Sequence, residues 1–360
     1  MANFFTQLFK VAIFSSVAVV SVLVTLFIGL LFTGMAIAGL SGSGSSEGAQ
    51  LTDREFVAGD KSSKNELLVI NVTGVIMGDR ETQDSWLTGL DTGVTYGYEV
   101  KEELIKAAEE DDIKGVLLYI NSPGGTIFGS EAIADGVTEY KQITGKPVIA
   151  FVSGMAASGG YWSALAADEI YADTGSTIGS IGVIFGPFKY YDSVISEDGG
   201  AFVGGVVTEN GIQNTYITAG RSKDLGNPYR KLSPEEITSL QSMVNQSYSD
   251  FVGRVAAARK IEPATIINSI GALVYSEHQA VDLKLIDGIL NKQEAYTRLA
   301  EKAGVKDNYK VSKLVPEPNF FNTLLSASSV AKSPSVAVQP CKMSTLVLAY
   351  HGDIQTVCQQ

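Results

Sequence analysis

Histidine and cysteine are scarce in this sequence, with two of each among 360 residues. Both cysteines, Cys341 and Cys358, lie at the C-terminal end, and no CxxC, HExxH or Cys/His cluster occurs. Because zinc and similar ions need such closely spaced ligands, the sequence predicts no metal site and no metal cofactor. The two histidines, His278 in a polar helix start and His351 in the tail, are not well placed for a Ser-His-Asp triad.

Basic charge is also in short supply. The chain has 27 Lys and Arg residues against 39 Asp and Glu residues, a net charge of -12. Binding to a phosphate backbone needs a clustered excess of basic residues, so nucleic acid is excluded as a partner. With 45% hydrophobic residues, 18% charged residues and 37 glycines, the chain is not disordered or a coiled coil.

Charge is absent altogether from Val11 to Leu40. This run is longer than the apolar core of a secretory signal, and about 20 residues suffice to cross a bilayer. It therefore predicts a membrane anchor at residues 1–40, with cleavage after the small residues at 35–38 as the alternative. Lys10 precedes the run and mainly acidic residues follow it, which predicts a cytoplasmic N-terminus and an extracytoplasmic remainder at the cell membrane.

The remainder divides into three parts by composition. Residues 41–65 start with a Ser/Gly-rich stretch, which predicts a flexible tether. In residues 66–311 β-branched runs alternate with amphipathic helical stretches, a pattern typical of one α/β domain. Residues 312–360 carry prolines in a Ser/Val/Ala background, which predicts a loosely ordered tail whose two cysteines could form a disulfide. No internal repeat is visible.

Local patterns predict individual elements within this domain. Continuous apolar runs at 67–72, 115–121 and 147–152 are typical of strands buried on both faces. Ser233, followed by a proline and then by Glu236 at the capping-box position, predicts the start of a long helix with one buried face.

Two glycine-rich segments follow the predicted strands, at the edge where open α/β sheets bind ligands. In the first, Asn121 to Gly125, backbone amides could face a developing negative charge, or the glycines could serve a tight turn. In the second, SGMAASGGYW, Ser158 lies among small residues as a nucleophile would, although close helix packing could equally require them. A lysine base needs burial or positive neighbours to lower its pKa from about 10.4, and no single lysine is distinguished on these grounds.

Four motifs in order, SPGG, GMAASGGYW, DTGSTIGSIGVIF and ITAGRSKDLGNP, closely resemble the signal peptide peptidase A family, membrane-anchored serine proteases of the Clp and crotonase fold. The resemblance covers residues 66–303. It implies an α/β Clp/crotonase-like fold with stacked β-sheets and flanking helices. The fold is expected in a single copy, as in the short form of the family, together with the N-terminal transmembrane helix.

The same resemblance implies the site residues. The Ser of the A-S-G-G turn is the family's nucleophile and corresponds to Ser158, and the Lys of A-G-x-x-K-D is its general base and corresponds to Lys223. The oxyanion donors are backbone amides, which correspond to Gly125 and Gly159. Ser180 matches a polar residue close to the dyad. No cofactor is implied.

The resemblance also implies a function. It indicates a serine endopeptidase with a Ser-Lys dyad that degrades released signal peptides and other unfolded apolar peptides. It further implies a homo-oligomeric ring in which dyads are shared between protomers. Two other functions stay open, a catalytically inert membrane scaffold of the same fold and a crotonase-like enzyme that processes acyl-CoA.

The sequence departs from the family pattern at three places. An apparent insertion at 196–214 lengthens the stretch between Ser158 and Lys223 and bears on the substrate groove. His278 stands where the family commonly has glycine, and the cysteine-containing tail has no counterpart in the family.

Overall fold

The computed structural model describes most of the chain between residues 54 and 314 and three backbone residues of the tail; the described ranges are 54–79, 93–188, 190, 217, 219–314 and 347–349. All of these residues belong to the unit Leu51–Gln360. The predicted anchor, the insertion and both cysteines lie outside them. No helix in the described part of the chain combines the length and the apolar character needed to span a bilayer.

The described residues form strands and helices in alternation. The strands are β1 (Arg54–Gly59), β2 (Glu66–Met77), β3 (Val94–Tyr96), β4 (Ile113–Thr126), β5 (Val148–Ala157), β6 (Glu169–Ala172), β7 (Thr177–Gly179), β8 (Val274–Ser276), β9 (Gly288–Ile289), β10 (Lys310–Leu314) and β11 (Val347–Ala349). The helices are α1 (Gly97–Ala108), α2 (Ile127–Thr144), α3 (Gly159–Ala164), α4 (Pro234–Arg259), α5 (Pro263–Thr265), α6 (Glu277–Asp282) and α7 (Lys292–Lys302). A π-helical turn, Ile266–Ile270, directly follows α5.

The strands pair in one branched, mixed sheet with the main order β1-β10-β2-β4-β5-β6-β9. Every neighbouring pair along this path is parallel except β1 with β10. The long strands change partners part-way along: β5 pairs with β6 first and with β7 near its end. The described strands therefore form one connected mixed sheet, as expected for the α/β class of fold.

The central strands are buried on both faces. In β2, Leu68, Ile70 and Val72 belong to a large apolar cluster that includes residues of α1, α2 and α4. The alternate residues Leu67 and Val69 belong to a second cluster formed with α7. Helices therefore cover both faces of the sheet, and the three predicted strands are confirmed within β2, β4 and β5.

Both ends of the folded part differ from the predicted domain boundaries. β1 lies inside the predicted tether at 41–65 and pairs antiparallel with β10. β10 itself runs to Leu314, beyond the predicted end at 311. Since each strand finds its partner at the other end of the domain, the local composition of the tether does not reveal the pairing.

The helix α4 begins as predicted at a capping box. The Ser233 hydroxyl accepts a hydrogen bond from the Glu236 amide at 3.1 Å, and the Glu236 carboxylate accepts one from the Ser233 amide at 2.7 Å. Its buried apolar residues, however, lie only in the C-terminal half and include Phe251, whereas Ile237 near the start is 52% exposed. The prediction of a buried face holds for the second half alone, because helical spacing shows which side is apolar but not what covers it.

Candidate active site

Ser158 occupies the turn between β5, which ends at Ala157, and α3, which begins at Gly159. The predicted strand-to-helix turn is therefore confirmed. Ser158 has a φ of 54°, in the left-handed region that is unfavourable for residues other than glycine. Its amide donates to the Gly179 carbonyl at 2.8 Å, and its carbonyl accepts from the Trp162 amide at 2.9 Å. The sheet and the helix together hold this strained backbone in place.

The Ser158 side chain is fully buried within the single chain. Its hydroxyl donates to the Gly182 carbonyl at 3.5 Å, a long and weak hydrogen bond. Ser180 directly follows the adjacent strand β7, whose last residue, Gly179, is paired with Ala157 of β5. It too has a positive φ, 52°, and is 7% exposed. Ser158 and Ser180 thus follow two neighbouring strand ends at the same edge of the sheet.

The NSPGG segment is the extended end of β4, not the tight turn that its glycines suggested. The register of β4 against β5 shifts between Ile120 and Ser122, so the strand is irregular where the segment begins. A side chain at Gly125 would place its Cβ 1.9 Å from the Ile76 carbonyl oxygen of β2. Glycine is required at Gly125 because two strands approach each other closely at this point.

The Ser122 side chain stabilises this end of β4 through two hydrogen bonds. Its hydroxyl donates to the Gly74 carbonyl at 2.6 Å and accepts from the Gly124 amide at 3.1 Å. The side chain is completely buried. Sequence reasoning missed this role, because the acceptor is 48 residues away in the chain.

The start of α3 packs directly on the same strand end. A Cβ at Gly160 would lie 2.7 Å from the Ser122 carbonyl oxygen, which only glycine permits without a shift. Gly159 is the first residue of α3, and the first amides of a helix have no acceptor within it. The proposed donors, Gly125 and Gly159, therefore belong to two segments packed against each other beside Ser158.

Lys223 lies in a loop of turns ahead of α4 and is exposed. Its side chain makes no hydrogen bond or ion pair with any described residue, Ser158 included. The described part of the loop contains three residues with positive φ, Gly220 at 101°, Ser222 at 62° and Gly226 at 89°. Within one chain, the two residues assigned to the dyad are thus not joined.

An ion-pair network holds the Lys223 loop. Arg230 donates from Nε and Nη2 to the two carboxylate oxygens of Asp224, both at 2.8 Å. It also donates from Nη1 and Nη2 to the carboxylate of Glu236, at 2.8 and 2.7 Å. These hydrogen bonds lower the pKa of Asp224 to about 2 and hold the pKa of Glu236 well below its usual range.

Sequence reasoning did not identify the residues of this network. The available signal was an arginine six residues after an aspartate and six before a glutamate, directly downstream of the AGRSKD motif.

α4 connects this loop to the helix that follows Ser158. At its start, Glu236 binds Arg230. In its C-terminal half, the Phe251 ring lies 4.9 Å from the Trp162 ring, and the Arg254 guanidinium lies 4.9 Å above the same ring. The helix from Glu236 to Phe251 spans about 22 Å. Lys223 and Ser158 of one chain therefore lie near opposite ends of α4.

The described residues contain no group of three or more His, Cys, Asp or Glu side chains that could hold a metal ion. Near Lys223, Arg221 is paired with Glu235 and Arg230 with Asp224. The chemistry that the site offers is therefore that of one buried hydroxyl, backbone amides and an exposed lysine.

Sequence comparisons identify related families and proteins. The profile of Peptidase family S49 matches residues 141–306, and that of Clp protease matches residues 91–172. A Synechocystis protein named protease slr0021 is 31% identical over 202 residues, which cover 56% of this chain and 67% of that protein.

Two further relatives extend the comparison. A Methanocaldococcus jannaschii protein named protease MJ0651 is 36% identical over 199 residues, covering 55% of this chain and 59% of its own length. An Enterococcus faecium protein named signal peptide peptidase SppA is 29% identical over 259 residues, covering 72% of this chain and 69% of its own. The chain thus spans between 59% and 69% of the length of these three relatives.

Proposed function

Because the chain belongs to Peptidase family S49, we propose that it is a serine endopeptidase with Ser158 as its nucleophile. The observation that carries this proposal is the placement of Ser158. Its hydroxyl lies on a strained strand-to-helix turn, makes a single weak hydrogen bond among the residues that the structure describes, and is flanked by backbone amides of glycine. A positioned hydroxyl beside such donors is what acyl transfer requires.

In the proposed reaction, Ser158 Oγ attacks the carbonyl carbon of a peptide bond and Lys223 Nζ takes the hydroxyl proton. The amides of Gly125 and Gly159 donate hydrogen bonds to the oxyanion that forms. The C–N bond then breaks, the leaving amine takes the proton from lysine, and an acyl-enzyme remains. Water, deprotonated by the same lysine, hydrolyses the ester and restores Ser158. Ser180, in the adjacent turn, is proposed to position the dyad.

The lysine of each site is proposed to come from a neighbouring protomer in a homo-oligomeric ring. Two features of the single chain support this. Ser158 is buried while Lys223 is exposed and without a partner among the described side chains. The loop that carries Lys223 is bound to the start of α4 through Arg230 and Glu236, whereas the helix that follows Ser158 packs on the C-terminal half of α4. The exposed apolar residues in the first half of α4, including Ile237, are available for contact with another subunit.

The proposed substrates are unfolded apolar peptides, among them released signal peptides. The end of β4 supports an extended substrate, because an edge of this strand near Ser158 is not paired with the neighbouring strand β5. A peptide can add to such an edge as a further strand, a mode of binding that needs no folded substrate. The relative named signal peptide peptidase SppA favours the same substrate class.

The protein is proposed to be anchored by residues 1–40, with its catalytic domain on the extracytoplasmic side of the cell membrane. The uncharged run from Val11 to Leu40 and the acidic residues after it support this orientation. A protease added outside wall-stripped cells should cut the Ser/Gly-rich stretch at 41–48. Protection of the protein while an external marker is digested would contradict the orientation.

The catalytic proposal is tested with a quenched fluorescent peptide of apolar sequence and the purified full-length protein in detergent. Ser158→Ala and Lys223→Ala should each lower kcat/KM by about 1,000-fold or more, with an unchanged Tm. Ser163→Ala is the matched control for the first, because this buried hydroxyl on α3 donates only to backbone carbonyls. Lys231→Ala, in the same loop as Lys223, is the control for the second. Wild-type activity in Ser158→Ala would exclude the proposed nucleophile.

A further inference from the structure

A short strand from the C-terminal tail pairs with the end of β4. β11 (Val347–Ala349) runs antiparallel to it, with Val347 opposite Thr126, Leu348 opposite Gly125 and Ala349 opposite Gly124. The tail thus returns to the segment proposed to carry an oxyanion donor.

The edge that β11 occupies is left open by the rest of the sheet. On one side, β2 pairs with β4 as far as Gly125. On the other side, β5 pairs with β4 only as far as Ser122, opposite Ala156, and its last residues pair with β7 instead. β4 therefore continues beyond its partner β5, and its last three residues form a free edge that can accept a strand.

The position of β11 coincides with the path expected for a substrate. Besides pairing with β4, β11 lies beside α3, the helix that starts immediately after Ser158. An extended chain at this place runs past the nucleophile turn and past Gly125, which faces Leu348 in the ladder. A substrate peptide that added to β4 would need this same edge.

We propose that the tail segment around β11 is a tethered competitor that occupies the substrate-binding edge of the protease. This inference rests on the function proposed above. Residues 315–346 connect β10 to β11 covalently. Pairing of the segment with β4 is therefore intramolecular, and a covalent connection commonly gives an effective concentration on the order of 1 mM. Even a weakly pairing strand is then bound for much of the time, and a substrate must displace it.

The kinetic test uses the full chain, a form that ends at residue 340, and Leu348→Pro. Truncation removes β11, and proline removes one of its amide hydrogens and weakens strand pairing, so both variants should free the edge. We expect KM for the fluorescent peptide to fall about two- to tenfold in both, with kcat unchanged. Leu325→Pro, a leucine in the same tail outside β11, is the matched control and should behave as the full chain does. Equal KM values in all forms would overturn the proposal.

A binding test separates this proposal from the proposed function. A labelled synthetic peptide of residues 342–353 is titrated into Ser158→Ala protein with and without the tail. The peptide should bind the form that ends at residue 340 and bind the full chain at least about twofold more weakly, since the tail already occupies the edge. This result would support the proposal even if no peptide were ever hydrolysed. Absence of binding, or equal binding to both forms, would overturn it while leaving any measured peptidase activity intact.

Discussion

The two residues assigned to the dyad lie in regions of opposite character. Ser158 is fully buried, at a turn held by backbone hydrogen bonds to β7 and α3. Lys223 is exposed, in a loop that Arg230 holds through two carboxylates. The nucleophile is thus positioned by the sheet, whereas the lysine is positioned by a local network and faces outward. A loop that exposes a lysine without a partner among the described side chains is suited to completing a site on another molecule, which is why the assembly is central to the proposal.

The largest expected effect comes from mixing two inactive chains. Ser158→Ala and Lys223→Ala proteins, each inactive alone, should regain activity when they assemble together, because some sites then combine an intact Ser158 with an intact Lys223. In a randomly mixed ring the recovered activity should be about a quarter of wild type, since each site draws on two chains. Mixed oligomers are isolated with two affinity tags before assay. Inactive mixed oligomers would mean that the dyad forms within one chain and that the separation along α4 is overcome there.

A second prediction concerns the ion-pair network that holds the Lys223 loop. Arg230→Gln should lower kcat about 10- to 100-fold with little change in KM, because the loop that orients Lys223 loses both carboxylate contacts. Arg221→Gln is the matched control in the same loop. Arg221 pairs with Glu235 at 2.9 Å, but their side chains are 80% and 64% exposed, so Arg221→Gln should lower kcat only slightly. Wild-type kcat in Arg230→Gln would show that the network does not position the lysine.

A third prediction concerns the packing of α3 against β4, which supports the turn of Ser158. Gly160→Ala places a Cβ 2.7 Å from the Ser122 carbonyl oxygen and should lower the free energy of unfolding by about 1–3 kcal/mol, because α3 must move away from β4. Gly253→Ala, on the exposed face of α4 with no atom within 4 Å of the new Cβ, should raise it by up to about 1 kcal/mol. Denaturant unfolding measures both changes. A neutral Gly160→Ala would contradict the tight packing on which the nucleophile turn depends.

The smallest expected effect concerns acid stability and separates the sheet from the loop. Hydrogen bonds from Arg298 and contacts with Lys302 lower the pKa of Glu169, on β6, to about 2 from an ordinary 4.5. A carboxylate whose pKa is lowered in the folded state stabilises the fold at pH values above its pKa in the unfolded chain. This stabilisation is lost as the pH falls from 4.5 toward 2. Over this pH range, the change in the free energy of unfolding should be about 1 kcal/mol smaller in Glu169→Gln than in the wild type, with allowance for solvent screening.

Asp224→Asn tests the loop in the same way. Arg230 lowers the pKa of Asp224 to about 2 as well, but this pair lies in the loop ahead of α4, outside the sheet. The free energy of unfolding is measured with denaturant at several pH values between about 6 and 3. Its pH dependence should equal that of the wild type in Asp224→Asn and should be weaker only in Glu169→Gln. Equal flattening in both variants would mean that the loop and the sheet unfold as one unit.

Prediction from the sequence succeeded where local patterns carry the information. Continuous apolar runs identified the central strands, and the SPEE capping box identified the start of α4. The small residues around Ser158 predict a strand-to-helix turn, and the structure contains it. These features depend on backbone preferences and side-chain size within a few residues, so a short window of sequence is sufficient to reveal them.

Prediction failed where the partner is remote in the chain. β1 was assigned to the tether because its partner, β10, lies at the other end of the domain. The pairing of β11 with β4 and the support of Gly124 by Ser122 could not be read from neighbouring residues either. In each case the free energy comes from hydrogen bonds and packing between distant segments, which composition and periodicity do not record.

The amino-acid sequence alone indicated the type of chemistry to look for in this protein. Histidine and cysteine are scarce, the small residues around Ser158 predict a strand-to-helix turn, and the resemblance to the signal peptide peptidase A family implies Ser158 and Lys223 as the dyad. The folded chain decided where those groups lie: Ser158 buried at a sheet edge, Lys223 exposed near the far end of α4, and a tail strand on the free edge of β4. Residue types and short-range spacing set local conformation. The relative positions of these groups follow instead from contacts between strands and helices that are distant in the chain, and a local sequence pattern does not reveal the free energy of such contacts.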